Sequence, residues 1–108
     1  VAAVPELLPQ QVKARLDAGE ALRLLDVREP WECEIASLPG SIQIPMGEIP
    51  TRWQELATDL PLVVVCKAGS RSRRVAQFLQ AQGFGQVANL TGGIDAWTRD
   101  IDPSLASY

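Results

Sequence analysis

Apolar and polar positions along this chain switch repeatedly between the spacing of a helix and the spacing of a strand. Leu8, Val12 and Leu16 recur at four-residue steps and Gly19 follows, which predicts an amphipathic first helix ended by glycine. Leu22-Arg23-Leu24-Leu25-Asp26-Val27 reads as a strand, and Pro30-Trp31-Glu32 as the first turn of a short helix reaching Ile35. Leu38-Pro39-Gly40 forms a turn, after which Ser41-Ile42-Gln43-Ile44 alternates with period two as another strand. Ile49, Trp53, Leu56 and Leu60 keep helical spacing and predict a helix through residues 51–57. The β-branched run Leu62-Val63-Val64-Val65 has the pattern of a strand buried on both faces of a parallel sheet.

The next helix turns Val75, Phe78 and Leu79 inward and Arg73, Gln77 and Gln80 outward, and Gly83 ends it. Gln86-Val87-Ala88-Asn89-Leu90 is the last strand, and Gly92-Gly93 leads into a short helix carrying Ile94, Ala96 and Trp97. Residues 100–108, with Pro103, read as coil on the surface. Alternating strands and helices imply one α/β domain over residues 1–108, with a mostly parallel sheet and helices on both faces.

With 108 residues there is room for one core. The longest apolar runs are a few residues, so no segment reads as a membrane span. Val1-Ala2-Ala3-Val4-Pro5-Glu6 has neither a basic flank nor a long apolar stretch and does not read as a secretory signal. Without an initiator Met, the chain reads as a processed protein or an excised domain. A net charge of −3 argues against nucleic acid as a partner. There is no histidine, which excludes Ser-His-Asp and Cys-His catalysis and histidine metal sites. Two cysteines, Cys33 and Cys66, exclude a four-thiolate metal site within one chain. Sparse cysteines without a secretion signal suit a reducing compartment, and the cytoplasm is the expectation; the expected state is a monomer with no cofactor and no metal.

Cys66 stands out. It follows the buried strand and opens the loop Cys66-Lys67-Ala68-Gly69-Ser70-Arg71, which runs into a helix. A thiol at the carboxyl end of a parallel strand sits where α/β sheets place ligands. The helix dipole and loop N–H groups favour negative charge there. Lys67, Arg71, Arg73 and Arg74 place four of the ten basic residues within eight positions. Together these favour thiolate, the nucleophilic form, and a small anionic substrate.

Within the loop, Lys67, Ala68, Gly69, Ser70, Arg71 and Ser72 are the candidate substrate-binding residues. Arg71 either ties the loop in place or binds the anionic donor. Gly69 permits a backbone angle that a side chain forbids. Ser70 and Ser72 are helix N-cap candidates first and substrate contacts second. Arg73 and Arg74 read as solvated helix residues. Asp26 and Arg28, at a strand end, are supporting candidates whose favoured reading is an internal ion pair. Cys33 reads as a packed thiol, with a resolving thiol as its functional alternative; Trp31, Trp53 and Trp97 read as core or half-buried packing residues.

Four segments, Leu25-Asp26-Val27-Arg28-Glu29-Pro30, Leu38-Pro39-Gly40-Ser41-Ile42, Val65-Cys66-Lys67-Ala68-Gly69-Ser70-Arg71-Ser72 and Leu90-Thr91-Gly92-Gly93-Ile94-Asp95-Ala96-Trp97, resemble the rhodanese-like sulfurtransferase domain in order and register. The resemblance covers about residues 7–101, leaving 102–108 as a tail. It implies a five-stranded, mainly parallel α/β fold with the active cysteine on a strand–helix loop. Ala36-Ser37 stands where the family commonly has Gly-His, a departure that removes no nucleophile. The implied activity is a sulfurtransferase that takes a sulfane sulfur from thiosulfate or a donor persulfide onto Cys66 and passes it to a thiophilic acceptor. A sulfur-carrier protein or a cysteine desulfurase is the implied protein partner. The ending, from Trp97 to Tyr108, is similar to rhodanese domains fused behind adenylyltransferases that activate sulfur carriers. Two rivals remain: a fold-retaining binding module without chemistry, and a phosphatase. Against the latter, a phosphatase loop needs Cys-x5-Arg, whereas here Ser72 holds that position and arginine falls at 71.

Overall fold

Four parallel pairings build one five-stranded sheet in a computed structural model that describes residues 3–108. Val1 and Ala2, part of the stretch read above as lacking a secretory signal, lie outside the described residues. In chain order the elements are β1 (Glu6–Leu7), α1 (Pro9–Asp17), β2 (Arg23–Asp26), α2 (Pro30–Ile35), β3 (Ile42–Gln43), α3 (Ile49–Arg52), β4 (Leu62–Val65), α4 (Ser70–Ala81), β5 (Val87–Leu90) and α5 (Gly93–Asp100). The strand order is β1-β5-β4-β2-β3, which puts β4 at the centre.

Strand geometry sends successive side chains to opposite faces, and both faces here are covered. Leu25, Val64 and Cys66 face one core, with Val75, Ala76 and Leu79 of α4 and Ile49 of α3. Leu24, Val63 and Val65 face the other, with Val12 of α1 and Ile94 and Trp97 of α5. This explains why β4 is apolar at every position rather than alternating. Burying a side chain such as Leu79 completely is worth about 1.5–3 kcal/mol.

The expected α/β architecture is therefore present, with two local differences. The sequence pattern does not predict β1: Glu6 and Leu7 alone are too few to show a period, and only pairing with Asn89 and Leu90 across the chain defines them. The helix expected through residues 51–57 instead begins at Ile49 and is short, flanked by 3₁₀ turns at Met46–Glu48 and Trp53–Glu55. Pro50 suits a helix's first turn and cannot lie deeper within one, which moves the start earlier. Among the described residues, no helix is long and apolar enough to cross a membrane.

Candidate active site

β4 delivers Cys66 to the carboxyl edge of the sheet, and α4 begins four residues later. The residue is 1% exposed, so the basic loop encloses a buried sulfur. Burial does not leave that sulfur without polar company. The Gly69 N–H donates to Cys66 Sγ at 3.0 Å, and Ser72 Oγ lies 3.2 Å from it. Gly69 itself, at φ +110°, is the N-cap of α4, a conformation that favours glycine. This also corrects the capping role expected for Ser70 and Ser72: no side chain caps α4, and Ser72 sits fully buried inside its first turn.

The loop is held in shape by α5. The N–H groups of Ile94 and Asp95, free at a helix start, donate to the carbonyls of Cys66 and Lys67 at 2.8 and 3.0 Å. Gly93 makes that approach possible: a Cβ there would lie 2.4 Å from the Cys66 oxygen and 2.5 Å from the Lys67 oxygen, and its φ is +60°. Gly93→Ala is therefore expected to cost about 2 kcal/mol or more, seen as a lower urea midpoint. It should also slow alkylation of Cys66, because the loop carbonyls must move.

Long-range acids neutralise most of the basic cluster. Lys67 pairs with Asp95 at 3.0 Å, Arg71 with Glu32 at 2.7 Å and Arg73 with Glu6 at 2.8 Å. Arg74 alone of the four has no ion pair among the described residues. The Lys67 ammonium also lies 4.9 Å from the Tyr108 ring centre and lines a cavity with Asp95, Thr98 and Tyr108. Local negative charge at the sulfur is thus favoured by the Gly69 N–H and the start of α4 more than by a net positive field.

Arg71 is a brace in this arrangement. Both its terminal nitrogens bond Glu32, at 2.7 and 2.9 Å. Glu32 also accepts the Glu29 N–H at 2.9 Å and the Tyr108 hydroxyl at 2.8 Å. Those bonds, Arg71's foremost, outweigh burial and hold its carboxyl down to about 2. A depressed carboxyl stabilises the fold fully above its unfolded value of 4.5, and that contribution disappears as pH falls toward 2. Urea midpoints between those limits should accordingly fall steeply for the parent and much less for Glu32→Gln; parallel curves would count against the brace.

Asp26 and Arg28 form the expected internal ion pair at 2.7 Å, each 1% exposed. The guanidinium uses all its N–H groups: Nε and Nη2 donate to Asp26, Nη2 also to the Ala36 carbonyl, and Nη1 to the Tyr108 hydroxyl and the Glu32 carbonyl. Burial pulls its pKa down, but the Asp26 bonds prevail and raise it. Tyr108, read as surface coil, instead joins Arg28 to Glu32; burial pushes its phenol up, so it keeps the proton that it donates. Trp31, expected to pack, is 58% exposed and meets Tyr108 edge-on. Cys33 is buried, and burial, with the Asp26 charge next, pushes its thiol up to about 11, which suits a packed thiol.

Sequence reading missed Glu32, Asn89, Glu6 and Tyr108. Asn89 is fully buried in β5 and binds Ser72, the Gly69 carbonyl and Glu6. An amide inside an otherwise apolar strand was the available signal, since a buried polar group implies partners.

Residues 8–100 match the family described as the rhodanese-like domain. The chain is 38% identical over 103 residues to a sulfurtransferase of Allochromatium vinosum, covering 95% of this chain and 96% of that protein. It is 46% identical over 90 residues to the chloroplastic rhodanese-like/PpiC domain-containing protein 12 of Arabidopsis thaliana, covering 80% of this chain but 30% of that protein. A maize adenylyltransferase and sulfurtransferase is 35% identical, and the chain spans 23% of it. Among solved structures, a thiosulfate sulfurtransferase from Pseudomonas aeruginosa superposes with a TM-score of 0.81 at 35% identity, over 89% of this chain and 19% of that one.

Proposed function

The chain belongs to the rhodanese-like domain family, and from that premise we propose that it moves a sulfane sulfur from thiosulfate or a protein persulfide to a thiophilic acceptor through a persulfide on Cys66. The observation that carries this reading is the Gly69 N–H aimed at Cys66 Sγ, 3.0 Å away, at the start of α4. A donor in that position stabilises a sulfur anion as oxyanion-hole donors stabilise oxygen. Similarity to sulfurtransferases supports the same chemistry.

The reaction divides into two displacements. The Cys66 thiolate attacks the outer sulfur of thiosulfate; the S–S bond of the donor breaks and sulfite leaves with the bonding electrons. An acceptor nucleophile then attacks the terminal sulfur of the persulfide, and the electrons of that S–S bond return to Cys66. Nothing is oxidised or reduced overall beyond the transfer of the sulfane sulfur, and no histidine is needed. Lys67, Ala68, Gly69, Ser70, Arg71 and Ser72 form the loop that receives the donor: Gly69 and Ser72 contact Cys66 Sγ, while Arg71 fixes the loop through Glu32. Asp26 and Arg28 support the loop indirectly, Arg28 bonding the Ala36 carbonyl and the Tyr108 hydroxyl, which in turn donates to Glu32.

We place the domain in the cytoplasm as a monomer, with a sulfur-carrier protein or a cysteine desulfurase as its protein partner. Similarity to a putative sulfur carrier protein of Bacillus subtilis, 38% identical over 88% of this chain and 51% of that protein, supports the carrier. With thiosulfate as donor and cyanide as acceptor, initial rates should give parallel double-reciprocal lines, the mark of a ping-pong route. Intersecting lines would contradict a covalent sulfur on the protein.

A further inference from the structure

The Cys66 sulfur has a second polar neighbour whose proton is contested. Asn89 Nδ2 donates to the Gly69 carbonyl at 3.0 Å and to the Glu6 carboxylate at 3.1 Å. Neither partner can donate in return. Glu6 stays ionised at neutral pH: burial opposes its charge, but bonds from Arg73, Thr91 and Asn89 together outweigh that and lower its pKa. Turning the Asn89 amide over would set its oxygen against two other oxygens, so Oδ1 is fixed facing Ser72. The Ser72 hydroxyl has one proton, and it donates to Asn89 Oδ1. The same hydroxyl is within donor reach of Cys66 Sγ, at 3.2 Å, but one proton cannot serve both acceptors, so while it lies on Asn89 Oδ1 the hydroxyl lone pairs face the sulfur. That arrangement accepts an S–H and repels an anion.

Resting on the reading of Cys66 as the nucleophile, we propose that Asn89, anchored by Glu6, is a positioning residue that holds the Ser72 hydroxyl proton away from the resting thiol and yields it to the sulfur once the sulfur is anionic. The hydroxyl turns about its Cβ–Oγ bond, the thiol proton having gone to solvent, and Asn89 Oδ1 loses its donor in exchange. No covalent bond forms or breaks in the turn. Until a charge on the sulfur draws the hydroxyl across, the sulfur has the Gly69 N–H as donor but not the Ser72 hydroxyl. The arrangement links the sulfur to Glu6 and Arg73 at the surface, through side chains that the sequence separates by more than eighty residues at one step.

The test is iodoacetamide alkylation at neutral pH, with the modified site mapped to Cys66 by peptide mass spectrometry. Asn89→Leu frees the Ser72 proton for the sulfur and should alkylate about threefold faster, the larger thiolate fraction outweighing its lower intrinsic nucleophilicity. In a Ser72→Ala background the same substitution should change nothing. Because position 89 is buried, Glu6→Gln is the second variant: it removes the acceptor-only anchor at an exposed site and should act in the same direction, more weakly, and again only when Ser72 is present. Slower alkylation of Asn89→Leu, no change for Glu6→Gln, or equal acceleration with and without Ser72 would overturn the proposal. Alkylation needs no sulfur donor, so these results are independent of whether thiosulfate loads Cys66.

Discussion

Cys66→Ser is expected to lose sulfur transfer from thiosulfate by roughly a thousandfold or more in kcat/KM, since it removes the sulfur on which the proposed persulfide forms. Its fold should survive, because serine is nearly the size of cysteine and Gly69 can donate to a hydroxyl oxygen as it does to Sγ. Cys33→Ser should keep the parent rate. Its thiol is buried beside Asp26 with its pKa pushed up to about 11, so it holds its proton and has no nucleophilic part to play. Initial-rate assays of the two variants, with urea unfolding as the control for folding, make the comparison. Loss of activity in Cys33→Ser at unchanged stability would mean that the second thiol resolves the first.

Arg28→Met is expected to destabilise the domain by about 3–5 kcal/mol, the largest stability effect of any substitution considered. Removing one partner of a buried pair leaves the other charged and dry. Asp26 is 1% exposed, and the lost guanidinium also served the Ala36 carbonyl and the Tyr108 hydroxyl. Urea denaturation should show a lower midpoint at an unchanged slope. Adding Asp26→Leu should recover part of the loss, because the orphaned charge goes with it. A loss below about 1 kcal/mol would show that water reaches the pair and that it does not brace the site.

The alternation of strand and helix was legible because it is written in neighbouring residues: β2, β4 and β5 each have their own run of apolar positions, and α4 has its own stripe. The loop at Cys66 was legible for the same reason, since strand, thiol, glycine and helix follow one another within a dozen residues. β1 was not, because its two residues become a strand only by pairing with Asn89 and Leu90. The partners of the basic residues were hidden likewise: Glu32 lies 39 residues from Arg71, and Glu6 lies 67 from Arg73. Read locally, Lys67, Arg71 and Arg73 look like free positive charge; in the fold each meets an acid from another element. Tyr108 could not be placed either, since nothing in a Pro-containing tail predicts a phenol between Arg28 and Glu32. Local chemistry singled out Cys66, and long-range pairing determined how its surroundings are charged.

Intact-protein and peptide mass spectrometry after incubation with thiosulfate reads the proposed persulfide directly. The account predicts one added sulfur atom, on the peptide containing Cys66, removed by a thiol acceptor and absent from Cys66→Ser. Recovery of the protein at its unmodified mass, or with the added sulfur on Cys33, would contradict it.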